Sequence, residues 1–600
     1  MWGEEFRLLV CHNANKLKVT VLDKDMWNGQ PIGWCEVSCL GLVDGEEIDD
    51  WYDLRVGEGE DVQGSIRLGL QFFAKGSLDT DGTKILPCYF PCRENNRVTL
   101  YQDADTPQLQ VFEVGSVILC VRGLHCSLLQ GLTSHDGSEY VPSRLWRDVY
   151  DTIVSAQRFI YITGWSVYTS ISLLRGEEDP DCTLSNVGEL LKSKADEGVR
   201  VLLLIWNDKS SGGVFGREGQ MGTHDKETEE FFVGSSVQVA NVMRVREGGS
   251  AGMVENEMVK IMYTHHQKCV IADAEIADSD LRRLVAYIGG IDLTDGRYDS
   301  PEYPLYNYQA THSQDFYQNC TPGATQETGP REPWHDIHAR VEGPAAWDIL
   351  QNFTDRWSKQ AEDKVGCLVD MSEEEFDREN AGEAVETEAG GWSAQVFRSI
   401  TSDSCLFDTD RLDTLTGKRG HLIDDSILRA YIQQIRKADH FIYLENQYFM
   451  GSAYAWKRET LTKHTVPREI FSKIVEKMEA GERFTCYVTI PMYPEGDPTS
   501  MASQEILYWQ RCTMESMYWR IGNAIQEHGL DTHPTDYLMF FCLGKRETME
   551  EVPEGLEEPD PDTPAGLVRQ SLRHPIYVHS KLMIVDDDYI IVGSANINQR

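Results

Sequence analysis

The pattern of apolar and polar positions changes along the chain. Near the amino terminus, segments such as LKVTVLD (17–23) and GSIRLGLQFF (64–73) alternate or are rich in β-branched residues, and turn-forming residues separate them. This pattern predicts a partial all-β sandwich at residues 1–75, followed by a linker at 76–109. From about residue 110 helical periodicity leads into apolar strands, which predicts an α/β architecture.

Three blocks of this α/β pattern recur in the same order. Two of them are a helix followed by an apolar strand, and the third is a pair of strands rich in small and polar residues. The copies lie at 149–168 and 428–449, at 188–206 and 469–491, and at 263–299 and 577–600. Matched blocks in the same order indicate two homologous halves, which we place at 110–395 and 396–600.

The composition limits the classes of function. The 600 residues include 56 basic and 97 acidic side chains, so the net charge is −41. This charge argues against a nucleic-acid partner, and it requires phosphate chemistry to lie in a local positive pocket. The sequence shows neither a long apolar run nor a secretory leader, and its 15 cysteines form no CxxC pair. We therefore expect a cytoplasmic protein with reduced thiols.

The third block carries the candidate chemistry. In both halves it contains the pattern His-x-Lys-x-x-x-x-Asp. On a strand, a histidine and a lysine two positions apart share one face, so both point into one cleft while the apolar run behind them is buried. A single match is weak, but the same pattern at the same place in both copies of a repeat is not. The predicted catalytic residues are His266, Lys268 and Asp273 in the first half and His579, Lys581 and Asp586 in the second.

Small residues and one polar residue follow each motif. In the first half these are Gly289, Gly290 and Asp292, and in the second Gly593, Ser594 and Asn596. Small side chains let a ligand approach the backbone closely, so we expect Gly290 and Ser594 to contribute to substrate binding. For Asn596 we expect a hydrogen bond to a phosphate oxygen or to the adjacent motif.

Taken together, these motifs resemble the phospholipase D superfamily. The segments THHQK, GGIDLTDGRYD, GPREPWHDIH, IYLENQYF and VHSKLMIVDD are similar to the plant-type branch that hydrolyses phosphatidylcholine, and the resemblance covers nearly the whole chain. It implies a duplicated α/β phospholipase D catalytic fold, preceded by a partial all-β domain of the C2 type.

The resemblance also implies roles for the motif residues. It assigns the nucleophile that forms a phosphohistidine to His266 and acid/base work to His579, with the two lysines neutralising the phosphate. From the residues alone the two histidines are not distinguishable, because the halves are pseudo-symmetric. We expect Asp292 or Asp295 to orient the first-half histidine. The motif aspartates are expected to orient strands rather than to touch phosphate.

The two ends of the chain carry further expectations. VLDKDMWNGQPIGWCEV resembles a calcium loop of a C2-type domain, which implies Ca²⁺ bound by Asp23 and Asp25 and peripheral attachment to a membrane surface. An ordinary solvated turn is the alternative for this loop. Relative to the family the chain looks shortened at both ends, and a downstream carboxylate that orients His579 is expected to be missing. We therefore expect a natively extended chain to be more active and more stable.

The function expected from the resemblance is hydrolysis of phosphatidylcholine and related glycerophospholipids to phosphatidate and a free headgroup alcohol. A covalent intermediate also predicts transfer of the phosphatidyl group to other alcohols. Two alternatives stay open at this point. One is a nuclease or other non-lipid phosphodiesterase with the same site, and the other is a catalytically silent lipid-binding protein. The oligomeric state is not predicted.

Overall fold

We analysed a computed structural model of the chain. The residues that it describes are 16–22, 31–39, 42, 47–56, 62–71, 88–106, 112–114, 117–119, 142–179, 183–208, 222–244, 264–277, 279–372, 375–379, 391–418, 421–451 and 464–598. The chain divides into two compact units. The first holds residues 1–89, 245–259 and 397–433, and the second holds 90–244, 260–396 and 434–600.

The first unit is built on antiparallel β-structure. Its amino-terminal strands are Lys16–Leu22, Pro31–Ser38, Ile48–Arg55 and Val62–Leu70, and they pair in sequence order into one sheet. Alternate positions of these strands bury Val21, Cys35 and Leu54 in a small apolar core. The prediction of an all-β amino-terminal region is confirmed. A second sheet of three short strands is formed by Ser399–Thr401, His421–Asp425 and Thr416–Lys418.

An eight-stranded sheet forms the first half of the second unit. Its strands, in spatial order, are Gln238–Val242, Arg200–Trp206, Phe159–Gly164, Cys269–Glu275, Arg282–Gly289, Ile337–Glu342, Arg93–Gln102 and Trp392–Ala394. The first three strands are parallel to one another and the others pair antiparallel.

Helices cover both faces of this sheet. The helices Leu145–Ser155 and Val187–Asp196 contribute to the core on one face, and the helix Pro344–Gln360 packs on the other. Every residue of the central strand Phe159–Gly164 is consequently buried. Burial on both faces explains why the central strands read as continuous apolar runs rather than as alternating patterns.

A five-stranded sheet forms the second half. Its spatial order is Leu538–Phe541, Thr485–Thr489, Phe441–Asn446, Lys581–Val585 and Tyr589–Val592. The first three strands are again parallel and the last two antiparallel, as in the five corresponding strands of the first half. The same strand order and direction in both sheets confirm the duplicated α/β fold.

A short parallel pairing joins the two halves. Trp334–His335 pairs with Tyr577–Val578, the residues directly before the second-half motif. The amide of His579 donates to the carbonyl of His335 at 2.8 Å. The backbone of the second motif is therefore fixed to the first half.

The remaining elements connect these sheets. The other α-helices are Asp225–Phe231, Gln309–His312, Ser426–Lys437, Val466–Glu479, Met501–Glu527 and Pro564–Ser571. The 3₁₀-helices are Gly176–Glu178, Glu362–Cys367, Thr409–Thr414, Pro534–Asp536 and Met549–Glu551. Two short antiparallel pairs join Phe112–Val114 to Val117–Leu119 and Gly544–Arg546 to Arg573–Pro575. Of the helices described, none has the length and apolarity needed to cross a bilayer.

Candidate active site

The two motif histidines meet in the second unit. Each His-x-Lys pair lies at the start of a central strand, Cys269–Glu275 in one sheet and Lys581–Val585 in the other. The imidazole centroids of His266 and His579 are 5.9 Å apart, with 54° between the ring planes. Two imidazoles this close together can act on one phosphate group, one by attack on phosphorus and the other by proton transfer.

In the first half, the buried Lys268 forms an ion pair. Its Nζ lies 2.7 Å from Asp292 Oδ2 and 3.3 Å from the carbonyl of His266. Asp292 in turn accepts the amide of Trp165 at 3.0 Å. Burial lowers the pKa of Lys268 and Asp292 opposes that effect. This cation is therefore compensated by a neighbouring carboxylate.

In the second half, the hydrogen bonds that Lys581 makes among the described residues go to neutral groups. Its Nζ donates to Gln447 Oε1 at 3.1 Å and to the carbonyl of His579. Asn596 occupies the repeat position of Asp292, and its amide donates to the same Gln447 oxygen at 2.9 Å. Burial, partly opposed by Asp336, lowers the pKa of Lys581 to about 7. This lysine gains most from an anion in the site.

His579 is held by a carboxylate from the other half. Its Nδ1 lies 2.6 Å from Asp336 Oδ2, and the indole Nε1–H of Trp334 donates to the same oxygen at 3.3 Å. The Trp334 ring also packs on the imidazole, with 4.8 Å between centroids. A side chain at Gly290 would collide with Asp336, because its Cβ would stand 1.9 Å from Oδ1. Glycine at this position therefore admits the carboxylate that orients His579.

His266 is held by a neutral acceptor. Its Nδ1 lies 2.8 Å from the backbone carbonyl of Ser594. A carbonyl oxygen only accepts, so the ring proton lies on Nδ1 and the lone pair of the neutral ring lies on Nε2. The expectation that Asp292 or Asp295 orients this ring is wrong. Asp292 pairs with Lys268, and Asp295 lies 3.3 Å from Nε2 of His224.

The expected loss of an orienting group for His579 is also wrong, since Asp336 supplies one from within the chain. Sequence reasoning missed Asp336. The available signal was its place in GPREPWHDIH, a segment that carries the resemblance but lies far from both motifs. Only the pairing of Trp334–His335 with Tyr577–Val578 brings it to the imidazole.

The surroundings of the two motif imidazoles disfavour their charged forms. Burial lowers the pKa of His266 and of His579 well below the usual value, and the charges of Lys268 and Lys581 lower both further. An anion placed between the rings would raise both values, because it stabilises the imidazolium form. The site is thus arranged to take up protons when a phosphate binds.

The motif aspartates hold backbone rather than face the cleft. Asp273 accepts the amides of Gln157, Arg158 and Phe159 at 2.9–3.1 Å and the Nε of Arg282 at 2.8 Å. Asp586 accepts three amides of residues 439–441 in the equivalent turn at 2.6–2.8 Å. Each carboxylate therefore fixes the entry to the central strand of its own half.

A buried network next to the site joins the halves a second time. His335 lies between Glu445 Oε2 of the second half, at 2.8 Å, and the Tyr303 hydroxyl and Asp103 of the first half, at 2.7 and 3.4 Å. Although burial acts against it, the two carboxylates hold the pKa of His335 well above its usual value. An imidazolium between two carboxylates stabilises the arrangement of the halves around His579.

A further cation lies beside the motif residues. The Arg297 guanidinium packs 4.2 Å over Trp334, on a ring that also contacts His579. It approaches Glu495 Oε1 of the second half at 3.4 Å, and the Tyr317 hydroxyl donates to the same oxygen at 2.8 Å. This residue adds positive charge to the cavity and was not identified from the sequence.

The predicted calcium ligands Asp23 and Asp25 lie outside the described residues. Within the part of the chain that the structure describes, no three His, Cys, Asp or Glu side chains are arranged to hold a metal ion. Ser594 and Asn596 both lie at the site. The Ser594 carbonyl accepts from His266, and the Asn596 amide donates to Gln447.

Comparison with known proteins gives consistent matches. A family model described as Phospholipase D matches residues 152–600, and one described as C2 domain matches residues 1–54. The chain is 42% identical to phospholipase D alpha 1 of Oryza sativa subsp. japonica and of Zea mays, over its whole length and 74% of each relative. It is 40% identical to phospholipase D alpha 1 of Arabidopsis thaliana, over its whole length and 75% of that protein.

We expect Asp273→Ala to destabilise the second unit by about 3–5 kcal/mol, because three backbone amides, including that of the buried Phe159, and the buried Arg282 lose their acceptor. Urea unfolding followed by tryptophan fluorescence measures the loss. Asp586→Ala is the matched variant and should cost less, since its turn is more exposed. An Asp273→Ala chain as stable as the parent would contradict the assignment.

Binding of tungstate, a phosphate-like dianion, should take up protons near pH 7. The sign follows from the lowered pKa values of Lys581 and the two histidines, which an anion raises. Calorimetric titration in buffers of different ionisation enthalpy gives the number of protons. We expect Lys581→Met to bind more weakly and to take up fewer. Tungstate binding without proton uptake, or equal proton uptake by the parent and by Lys581→Met, would refute this charge balance.

Proposed function

This chain belongs to the phospholipase D family, and from that membership we propose that it hydrolyses glycerophospholipids such as phosphatidylcholine to phosphatidate and the free headgroup alcohol. The observation that carries the proposal is the pair of imidazoles, 5.9 Å apart beside two buried lysines. A phosphodiester is an anion with a poor alkoxide leaving group, so cleavage needs neutralisation, an in-line nucleophile and a proton donor. Lysines and histidines supply all three.

We assign the nucleophile to His266. Its Nδ1–H donates to the Ser594 carbonyl, so the Nε2 lone pair is fixed toward the phosphate. This acceptor is a carbonyl rather than a carboxylate, and burial lowers the pKa of the ring, so the surroundings favour the neutral, nucleophilic imidazole before attack. Attack on phosphorus forms a P–N bond to the imidazole as the bond to the headgroup oxygen breaks.

We assign proton transfer to His579. The Asp336 carboxylate stabilises its imidazolium form, which the bound phosphate anion also favours. Its Nε2 proton passes to the leaving headgroup oxygen, so the alcohol departs neutral. The same nitrogen then takes a proton from water as the water oxygen attacks phosphorus. That second attack breaks the P–N bond, releases phosphatidate and restores both rings.

The lysines neutralise the two non-bridging phosphate oxygens. Lys268 keeps Asp292 as a partner throughout, whereas Lys581 donates to neutral oxygens among the described residues and so contributes most of the net attraction. Removal of charge from Lys581 should therefore weaken substrate binding more than removal of an exposed lysine.

The amino-terminal C2 match supports attachment of the protein to a membrane surface under calcium control. In this proposal Asp23 and Asp25 are calcium ligands, and the chemistry above uses no metal. Bound Ca²⁺ would let this acidic chain approach the anionic headgroups of a cytoplasmic membrane face, so we propose peripheral association there.

His266→Ala and His579→Ala should each lower kcat at least about 10³-fold, because one removes the nucleophile and the other the proton carrier. The two variants differ on a phosphatidyl ester of p-nitrophenol, whose leaving group needs no proton. His579→Ala should then accumulate a phosphatidyl group on His266, detected by acid-quench peptide mass spectrometry. His266→Ala should accumulate none.

The exposed His533→Ala serves as the control variant and should retain parental activity. Label on His579, or label that persists in the His266→Ala chain, would reverse or refute the assignment. Lipid binding without turnover in the parent chain would identify a silent lipid-binding protein instead.

A primary alcohol should intercept the covalent intermediate. With phosphatidylcholine vesicles and 1-butanol, we expect phosphatidylbutanol to form at the expense of phosphatidate while choline release continues, as thin-layer chromatography and a choline assay would measure. Choline release without any phosphatidylbutanol would exclude an intermediate open to alcohols. Cleavage of an oligonucleotide but not of lipid would favour the nuclease alternative.

A further inference from the structure

The loop that follows the strand Thr485–Thr489 reaches the catalytic centre. Ile490 and Pro494 are buried, and between and after them the chain turns toward the site. Glu495 accepts a hydrogen bond from Tyr317 at 2.8 Å and lies 3.4 Å from Arg297, the cation that packs on Trp334. The Glu495 side chain is 23% exposed and Arg297 is buried, so this loop lies between the catalytic centre and solvent, and we call it the mouth of the site.

The same loop directs apolar side chains into solvent. Met492 and Tyr493, three and two residues before Glu495, are 48% and 39% exposed. The helix Met501–Glu527 begins directly after the loop, and its Met501 and Tyr508 are 86% and 51% exposed. We call Met492, Tyr493, Met501 and Tyr508 the rim patch.

Helix geometry places the last two members of the rim patch on one face. Met501 and Tyr508 are seven residues apart, which is close to two full turns. The opposite face is buried and holds the helix against the site. There Gln510 accepts the amide of Phe449 at 3.2 Å, and Thr513 accepts the amide of Gly451 at 3.3 Å. The exposed apolar face is therefore anchored to the segment that carries Gln447.

The segment that carries the rim patch is acidic. Residues 490–510 contain Glu495, Asp497 and Glu505 and no lysine or arginine, and the exposed Arg511 that follows them pairs with Glu515 at 2.6 Å. A segment without basic residues offers no attraction to an anionic lipid surface. The outermost charge of a phosphatidylcholine surface is a quaternary ammonium group, which an acidic rim accepts. Methionine and tyrosine are side chains that enter the interfacial layer of a bilayer.

We propose that the rim patch docks the catalytic mouth on a zwitterionic phospholipid surface, with its four side chains inserted among the headgroups. The inference rests on the proposed function, because it takes the substrate to be a lipid held in a bilayer. Docking at the mouth shortens the path of a phospholipid from the bilayer to His266, with Glu495 at the entry. It acts without calcium and separately from the amino-terminal domain.

The test compares one enzyme on two forms of one substrate. The double variants Met492→Ser/Tyr493→Ser and Met501→Ser/Tyr508→Ser are assayed on phosphatidylcholine vesicles and on a short-chain phosphatidylcholine below its micelle concentration. We expect vesicle hydrolysis to fall roughly tenfold or more and monomer hydrolysis to stay within about twofold. Met549→Ser and Leu567→Ser, exposed apolar positions on another segment, should change neither rate.

A binding arm separates this proposal from the catalytic one. This arm uses the His579→Ala background with a chelator present. Vesicle flotation should show stronger binding to phosphatidylcholine vesicles than to phosphatidylglycerol vesicles, and both double variants should weaken the binding to phosphatidylcholine. If the parent hydrolyses neither substrate, the proposed function fails while this arm still tests the rim patch.

Equal loss on vesicles and monomers, or unchanged vesicle hydrolysis in both double variants, would overturn the docking proposal. Preferential binding to phosphatidylglycerol would overturn it too. The parent chain could also prove dimeric while the double variants are monomeric and keep full vesicle activity. That result would show that the rim patch forms a contact between two copies of this chain, and it would likewise overturn the proposal.

Discussion

The hydrogen bond between His579 and Asp336 joins the two halves at the point where the chemistry takes place. One partner belongs to the second motif and the other to the first half, so neither half contains a complete acid/base group. The parallel pairing of Trp334–His335 with Tyr577–Val578 fixes the backbone on both sides of this bond. The Gly290 position leaves the space that the carboxylate fills. The site therefore exists only while the halves stay interlocked.

Within this duplicated frame, small differences separate the roles of equivalent residues. Strand order and motif spacing are shared, and they place two imidazoles and two ammonium groups around one centre. Asn596 stands where the first half has Asp292, so this position gives Lys581 no carboxylate partner while Lys268 is paired. One histidine donates to a carbonyl and the other to a carboxylate. Duplication thus sets the geometry, and a few substitutions at matching positions set the electrostatics.

The sequence was sufficient for features carried by short spacing. The repeat, the paired motifs and the all-β amino-terminal region depend on local patterns, and the structure has them in that order. Asp336 was not predictable because it lies 243 positions from His579 in the sequence, and only strand pairing brings the two side chains together. The same reason explains the wrong choice of Asp292 and Asp295, which are near His266 in sequence but pair with Lys268 and His224. Exposure of Met492 and Tyr493 also depends on tertiary packing, and an apolar pattern alone does not distinguish a core from a docking surface.

The central claim is that His266 and His579 act on one phosphorus held between them. A crystal structure with bound tungstate tests it most directly. We predict one tungstate between the rings, with Nε2 of both histidines directed at the metal from opposite sides and the lysine ammonium groups on its other oxygens. Tungstate bound elsewhere, or imidazoles turned away from a shared centre, would contradict the account.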